Sequence, residues 1–316
     1  MTNFTIRRLS MLAVGSIVCA GLLATQTQSA SAYQTDGLMI YLDASNTNSY
    51  NGGMNWNDLS GNNRNGTLMG PVVYDAATEA LQFPGGVNGT AYVNLAGEYS
   101  DFSSGVTVEF EGEFGSTRAP WERIFDFGIP GGGGEANDLW VGQFSDTNEL
   151  AIETWHDGVN QGRCHTSTSG TALGDVGSRD LAKWMITIDN SVCRIYKNGI
   201  EIPTQIANAT ATDNTPVEAN GSAYPLPLVS NRTSNYIGRS NWTGDSDLEG
   251  SIRYIRLYNR PLTADEALDN STNSDHKTLA NTGSNLSVFW AAAGAIGIGS
   301  VALGLNFSRR RRFRTR

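Results

Sequence analysis

The sequence predicts an all-β fold over residues 33–268. Between residues 36 and 259, apolar and polar side chains alternate with a period of two, which is the period of a half-buried strand. Gly, Asn and Asp interrupt these segments at short intervals, as they do at turns between strands. A chain segment of this size can bury one full core, so we expect a single domain.

Each predicted strand is an apolar or alternating segment between turn formers. We predict strands at residues 38–42, 81–83, 91–95, 106–114, 123–127, 139–144, 150–156, 183–188, 194–196, 200–202, 236–239 and 251–258, with a loop at 84–90. Asn198-Gly199 separates two of them, and this dipeptide is the strongest short hairpin signal. Thr263 and Glu266 have the spacing of a capping box, which predicts a short helix after the last strand.

Both ends of the chain have the composition of targeting segments. Two arginines, an apolar segment and an Ala-Ser-Ala ending make residues 1–32 a predicted secretory signal peptide. Near the other end, the apolar residues 288–307 approach the ~20 residues that a transmembrane helix needs. Six arginines follow, which the positive-inside rule assigns to the cytoplasm. We therefore expect the domain between these ends to be extracellular.

Residues 279–316 resemble a bacterial cell-wall sorting signal, in which a pentapeptide precedes an apolar span and a basic end. The pentapeptide here is Leu279, Ala280, Asn281, Thr282 and Gly283. The resemblance implies that a sortase cleaves after Thr282 and joins the protein to the envelope of a Gram-positive-type bacterium. Ala280 stands where the commonest version has Pro, which is similar to the variant that class E sortases recognise. An uncleaved single-pass anchor is the alternative, and residues 269–278 would be a polar spacer in both cases.

The charge of the chain argues against two classes of partner. Residues 33–282 keep 14 of the 22 basic residues and all 31 acidic ones, a net charge of −17. Nucleic acids and anionic membranes bind patches of Lys and Arg, so neither is an expected partner. The membrane is expected to contact the protein only through the C-terminal span before processing.

The cysteines of the predicted exported domain are Cys164 and Cys193. Outside the cytosol such a pair is compatible with a disulfide bond, and two free buried thiols are the alternative.

The order of motifs resembles the laminin-G-like, concanavalin A-like jelly-roll domains of bacterial exported proteins. The similar segments are residues 37–43, Trp56 to Gly61 with the pattern Trp-x-Asp-Leu-Ser-Gly, residues 184–199 with their Tyr-x-Asn-Gly end, residues 236–238 and residues 250–263. The resemblance covers nearly all of residues 36–268. It implies two antiparallel sheets, one concave, with ligands on the concave face or at the loop-bearing rim. Because lectins, adhesins, protein-binding modules and glycosidases share this sandwich, the resemblance does not choose among these functions.

Glu109, Glu111 and Glu113 are the candidate catalytic residues. Their alternation on one strand puts the three carboxylates on one face, ~7 Å apart for each two-residue step. Retaining glycosidases use two carboxylates ~5–5.5 Å apart, and laminarinase-type hydrolases of this fold carry them on one strand. However, the middle acid is Glu here instead of Asp, and three Glu on a solvated face are ordinary in so acidic a chain. We therefore expect no catalysis, and a laminarinase-like hydrolase is the alternative.

Glu153, Trp155 and Trp242 are the candidate ligand-binding residues. Glu153 and Trp155 share the polar face of one predicted strand, and Trp242 lies in a polar loop. An indole on a polar face suits the apolar side of a sugar ring while its N–H binds a hydroxyl. The alternative is a tryptophan that packs beneath a neighbouring loop.

Asp245, Asp247 and Glu249 are the candidate metal ligands. They alternate before Gly250 as hard oxygen ligands do in calcium loops. An EF-hand would need a Glu where Arg256 stands, so any Ca²⁺ site here would be of another type, and an acidic turn is the alternative.

Together these features predict an exported, wall-anchored protein that binds an extracellular ligand without catalysis. We expect that ligand to be a glycan or a surface glycoprotein, for adhesion or recognition. A structural component of a surface layer or pilus is a further alternative.

Overall fold

A computed structural model describes residues 33–115, 119–130, 137–166, 181–189, 192–207, 216–219 and 232–272. The predicted signal peptide, the sorting pentapeptide and the apolar segment after it lie outside the described residues. Within those residues, no helix is long and apolar enough to cross a bilayer.

Short alternating segments form strands throughout the described part of the chain, and one helix follows the last strand. The strands are β1 Leu38–Asp43, β2 Asn55–Trp56, β3 Gly66–Met69, β4 Val73–Asp75, β5 Ala80–Val87, β6 Tyr92–Leu95, β7 Val106–Phe114, β8 Arg123–Gly128, β9 Leu139–Gln143, β10 Leu150–His156, β11 Val159–Thr166, β12 Ala182–Ile188, β13 Cys193–Lys197, β14 Ile200–Ile202, β15 Thr204–Ala207, β16 Pro216–Ala219, β17 Ser234–Ile237 and β18 Ser246–Tyr258. The helix α1 is Ala264–Thr272.

The strands form two antiparallel sheets. The first sheet has the order β14-β13-β12-β7-β18-β5-β4, with β1 paired to β18. The second sheet has the order β16-β15-β11-β10-β9-β8-β17-β6-β3-β2. This arrangement confirms the predicted all-β, two-sheet antiparallel sandwich.

The inner faces of the two sheets share one hydrophobic core. Val108 and Phe110 of β7 belong to it from the first sheet, and Val141 and Ile152 of β9 and β10 from the second. All four are 0% exposed, and they occupy the apolar positions of the period-two pattern. The neighbours of these residues along each strand therefore point away from the core, to the outer faces.

A disulfide bond links the two sheets. It joins Cys164 of β11 to Cys193 of β13, across 29 residues of sequence. Both half-cystines are fully buried in the core.

Two local predictions are confirmed by backbone geometry. Asn198 and Gly199 have φ of 51° and 78°, as a two-residue hairpin with positive φ at both positions requires. The backbone N–H of Thr263 donates to Glu266 (2.8 Å), and the N–H of Glu266 donates to the Thr263 hydroxyl (3.3 Å), which completes the capping box. The helix continues to Thr272, so residues 269–272 of the predicted spacer are part of the folded domain.

The predicted loop at residues 84–90 is shorter in the structure. β5 continues through Val87 because β18 begins at Ser246 and pairs with it, Ser246 opposite Val87 and Glu249 opposite Pro84. Asp247 and Glu249 therefore lie in a strand and not in an acidic loop.

The prediction of a solvated face for Glu109 and Glu111 is wrong. Glu109 is 1% exposed and Glu111 6% exposed, on the outer face of the first sheet. Glu109 accepts hydrogen bonds from Tyr254 (2.9 Å), Arg256 (3.1 Å) and Asn270 of α1 (2.9 Å). The reason for the burial is that α1 and Tyr33 cover this face, since Asn270 contacts Glu109 and the Tyr33 ring centroid lies 4.4 Å from the Arg256 guanidinium.

Candidate ligand-binding site

An open cavity lies on the outer face of the second sheet, away from the core. We call it the tryptophan cavity. Its volume is about 240 Å³. It is lined by Trp121, Arg123, Glu153, Trp155, Arg163, Trp242 and Asp245.

Strand alternation explains why these side chains point outward. Ile152 of β10 is in the core, so Glu153 turns to the opposite face. Arg163 of β11 stands directly opposite Glu153 in the register of the two strands. Arg123 opens β8, and Trp242 and Asp245 come from the loop between β17 and β18.

Aromatic rings form the walls and floor of the cavity. The rings of Trp155 and Trp242 meet edge to face, with centroids 5.7 Å apart. Trp121 packs edge to face on Trp140 at 6.0 Å. Trp140 is 0% exposed, whereas the other three rings are partly exposed. The site therefore combines a buried aromatic floor with three indoles that a ligand can contact.

Two acid–base pairs provide the polar lining. The Arg123 Nη2 atom donates to Asp245 Oδ2 at 2.9 Å, and Arg163 pairs with Glu153. The guanidinium of Arg123 also stacks on Trp140, 3.8 Å from the ring centroid. Burial raises the pKa of Asp245, and the neighbouring Arg123 opposes that rise. The pairs hold their charges in fixed positions beside the indoles.

Trp121 has a strained backbone at the cavity wall. Its φ of 65° lies in the left-handed region, which is an outlier for a bulky residue. Its ring packs on Phe144 at 5.3 Å. Its backbone N–H donates to the Ser145 carbonyl (3.0 Å), and its own carbonyl accepts from the Arg123 guanidinium (2.8 Å). Strain of this kind, maintained by surrounding contacts, is typical of functional sites.

A buried polar layer positions the loop that carries Trp242. Asp126, which is 0% exposed, accepts from the backbone N–H of Asn241 (3.0 Å) and from its side-chain amide (2.8 Å). The Ser240 hydroxyl donates to Asp245 at 2.8 Å. Near Asp126 lies Asp138, whose pKa is raised well above 3.8 by burial and then by the charge of Asp126. These contacts fix the loop before a ligand arrives.

The structure brings the three candidate ligand-binding residues together. Glu153, Trp155 and Trp242 all line the tryptophan cavity, and the Trp155 indole N–H donates to Glu153 at 3.0 Å. Sequence patterns missed Trp121, Arg123 and Arg163. The position of Arg163 opposite Glu153 could have been found only from the register of β10 and β11.

The candidate catalytic residues lie elsewhere, on the outer face of the first sheet. Glu109 has three hydrogen-bond donors, and Glu111 pairs with Arg253 at 2.6 Å. Both carboxylates are thus used in buried contacts that hold the fold. Glu113 is half-buried and lines a second cavity of about 280 Å³, together with Glu249.

The three candidate metal ligands have separate roles in the structure. Asp245 pairs with Arg123, and Asp247 accepts from the backbone N–H groups of residues 89, 90 and 91 (2.9, 2.6 and 2.7 Å). Glu249 lines the second cavity. The described part of the chain contains no cluster of three or more His, Cys, Asp or Glu side chains that could hold a metal ion.

Residues 87–267 match the family model described as the concanavalin A-like lectin/glucanases superfamily, with the laminin G type 3 domain. The chain belongs to this superfamily. The match spans the strands from the end of β5 to β18 and therefore includes every residue of the tryptophan cavity. No protein with a curated description matches the chain.

Solved structures that are similar to this chain share little sequence identity with it. The binding domain of botulinum neurotoxin DC, solved in complex with rat synaptotagmin II, is 15% identical with a TM-score of 0.54; the similarity covers 76% of this chain and 52% of that one. Domain 4 of the arabinanase AbnA from Geobacillus stearothermophilus, solved with arabinotriose, is 16% identical with a TM-score of 0.48, and covers 73% of this chain and 97% of that one. This chain thus spans about half the length of the neurotoxin domain. At these identities the neurotoxin likeness supports the fold alone.

Proposed function

We propose that the protein binds an extracellular carbohydrate in the tryptophan cavity, without catalysis. The observation that supports this proposal is the grouping of three partly exposed indoles with two fixed acid–base pairs in one cavity. A sugar ring presents an apolar C–H face that suits an indole, and its hydroxyls both donate to carboxylates and accept from guanidinium groups. The superfamily includes lectins, which agrees with this chemistry.

A glycan array with the full-length chain tests the proposal, in the presence and absence of calcium. We expect binding to at least one glycan class, and its loss in Trp155→Ala and Trp242→Ala. Tyr74→Ala is the matched control, because Tyr74 is an aromatic residue 40% exposed on β4 of the other sheet. Binding to no glycan in either condition, or binding that both tryptophan variants retain, would refute the proposal.

The proposed site of action is the bacterial cell wall, after export through the signal peptide and attachment by a class E-like sortase. Tyr33 and α1 pack on the outer face of the first sheet, where Gln34 donates to Asn270 at 3.1 Å. The tryptophan cavity lies on the outer face of the opposite sheet. The chain therefore leaves the described domain on the face opposite the cavity. Mass spectrometry of wall-released protein would show a chain ending at Thr282, whereas a chain ending at Arg316 would contradict cleavage.

The alternative function, a glycoside hydrolase, is testable at Glu113. It is the most exposed of the three candidate carboxylates, and Glu249 shares its cavity. If the protein hydrolyses β-glucans, reducing-sugar release should disappear in Glu113→Gln. We expect the unchanged protein to release none.

A further inference from the structure

We infer that the tryptophan cavity takes one uncharged sugar residue, so that neutral sugars rather than uronic acids or amino sugars are its ligand class. This inference rests on the proposed sugar binding and specifies it. It follows from the balance of charges that line the cavity and from the cavity's size.

The charges that line the cavity cancel in pairs. Arg123 is paired with Asp245 at 2.9 Å, and Arg163 with Glu153. Beneath the lining, the fully buried Asp126 lies 3.6 Å from the Arg123 guanidinium and accepts hydrogen bonds from Asn241, so a ligand in the cavity does not contact it. Among the described residues that line the cavity, every cation thus already has a fixed counter-charge.

This pairing disfavours a charged ligand. A uronic acid would lose its water of hydration and find guanidinium groups whose charge carboxylates already neutralise. A protonated amino sugar would meet the same obstacle at the carboxylates. A neutral sugar avoids this cost, because hydroxyl groups can donate to a carboxylate and accept from its partner guanidinium without a net charge.

The indoles support the same conclusion about cations. Rings around a cavity can bind a ligand cation through their faces. Here the Arg123 guanidinium already lies beside two of these rings, 5.7 Å from the Trp121 ring centroid and 5.5 Å from the Trp242 ring centroid. The ring surface that remains suits C–H groups.

The size of the cavity suits one sugar ring. Its volume of about 240 Å³ lies below the range of ~300–1,000 Å³ that is usual for pockets that bury a drug-sized ligand. One sugar residue fits such a space with its neighbours outside.

Calorimetric titration of the full-length chain with methyl glycosides tests the inference. The probes are the methyl glycosides of glucose, galactose, mannose and N-acetylglucosamine, each with its uronic acid and its 2-amino counterpart. We expect at least one neutral glycoside to bind, and its charged counterparts to bind at least about tenfold more weakly. A charged counterpart that binds as tightly would overturn the inference and leave sugar binding intact. Binding of an oligosaccharide with which no monosaccharide competes would also overturn the inference and leave sugar binding intact. Failure of every sugar, on the array as well, would instead remove the proposed function.

A charge variant gives an independent measurement. Glu153→Gln removes the counter-charge of Arg163, so the ratio of uronic acid to neutral affinity should rise by about tenfold. Asp245→Asn should raise it less, because Arg123 retains Asp126. Glu201→Gln is the matched control, since it breaks a half-exposed pair with Arg194 on the other sheet. An unchanged ratio in both folded cavity variants would contradict the role given to the pairs.

Discussion

The indole nitrogen of Trp155 donates a hydrogen bond of 3.0 Å to the Oε2 atom of Glu153. The Oε1 atom of the same carboxylate pairs with Arg163 on the neighbouring strand. Glu153 is only 3% exposed, so the carboxylate cannot turn away from either partner without losing a buried contact. The orientation of the Trp155 ring is thus set in the unliganded protein. Because the orientation of the ring is already fixed, binding costs less side-chain entropy at this site.

This relationship predicts a graded series at Trp155. Trp155→Ala removes the ring and should weaken sugar binding by roughly ten- to a hundredfold, the range of a central aromatic contact. Trp155→Phe keeps an apolar ring but leaves Glu153 without its indole donor, so its affinity for the sugar should lie between those of the unchanged protein and Trp155→Ala. Titration calorimetry measures the series. Equal losses for Phe and Ala would mean that the hydrogen bond, and not the ring surface, carries the effect.

Glu109 should matter for stability much more than Glu113. Glu109→Gln leaves the buried guanidinium of Arg256, 2% exposed, without its counter-charge, at a cost of about 3–5 kcal/mol in the free energy of unfolding. Glu113 is half-buried and accepts from Ser251 at 2.9 Å, so Glu113→Gln should cost about 1 kcal/mol or less. Urea unfolding gives both values. Equal costs would contradict the structural role assigned to the Glu109–Arg256 pair.

Asp138 should make stability depend on pH in a direction opposite to that of most carboxylates. Its pKa is raised well above 3.8 in the folded protein, first by burial and then by the charge of Asp126. Above pH 3.8 the folded state therefore keeps a proton that the unfolded state releases, and the free energy of unfolding falls as pH rises towards the folded pKa. Asp138→Asn cannot titrate, so its stability relative to the unchanged protein should increase as pH rises above 3.8.

Thermal unfolding across this pH range measures the effect of Asp138→Asn. Asp101→Asn is the control of opposite sign, because hydrogen bonds from Ser103 lower the pKa of Asp101. A carboxylate whose pKa is lowered stabilises the folded state at pH values above its ordinary pKa. This stabilisation is lost as pH falls through the lowered pKa. If Asp138→Asn and the unchanged protein have the same dependence of stability on pH, Asp138 does not keep a proton in the folded state.

The parts of the site that the sequence predicted are those that depend on one strand. Glu153 and Trp155 could be placed on one outward face because residues two apart in a strand share a face. Trp242 was recognisable as a large aromatic residue in a polar loop. Arg163 was not, because its position opposite Glu153 depends on the register between β10 and β11, which no local pattern fixes.

The prediction for the three glutamates was also limited by contacts that are distant in the sequence. Alternation correctly placed Glu109 on an outward face of β7, but it could not show what covers that face. The cover includes Asn270 of α1, which is 161 residues away in sequence and donates to Glu109 at 2.9 Å. Asp247 is similar, since it accepts from backbone N–H groups of a turn 156–158 residues earlier in the chain. Long-range partners of this kind decide whether an acidic residue is a ligand or a structural contact.

The disulfide between Cys164 and Cys193 should supply much of the domain's stability. It closes a loop across 29 residues. Because a cross-link of that span lowers the entropy of the unfolded chain, it should add about 3–4 kcal/mol to the free energy of unfolding on the loop-entropy model. Because it joins β11 of the second sheet to β13 of the first, its loss should also let the two sheets separate more readily at that edge. Cys164→Ala with Cys193→Ala should therefore lower the free energy of unfolding by about this amount in urea. The unchanged protein treated with a reductant during unfolding is the matched control and should reach the same value. A double variant as stable as the oxidised protein would show that the cross-link adds nothing to the core packing around it.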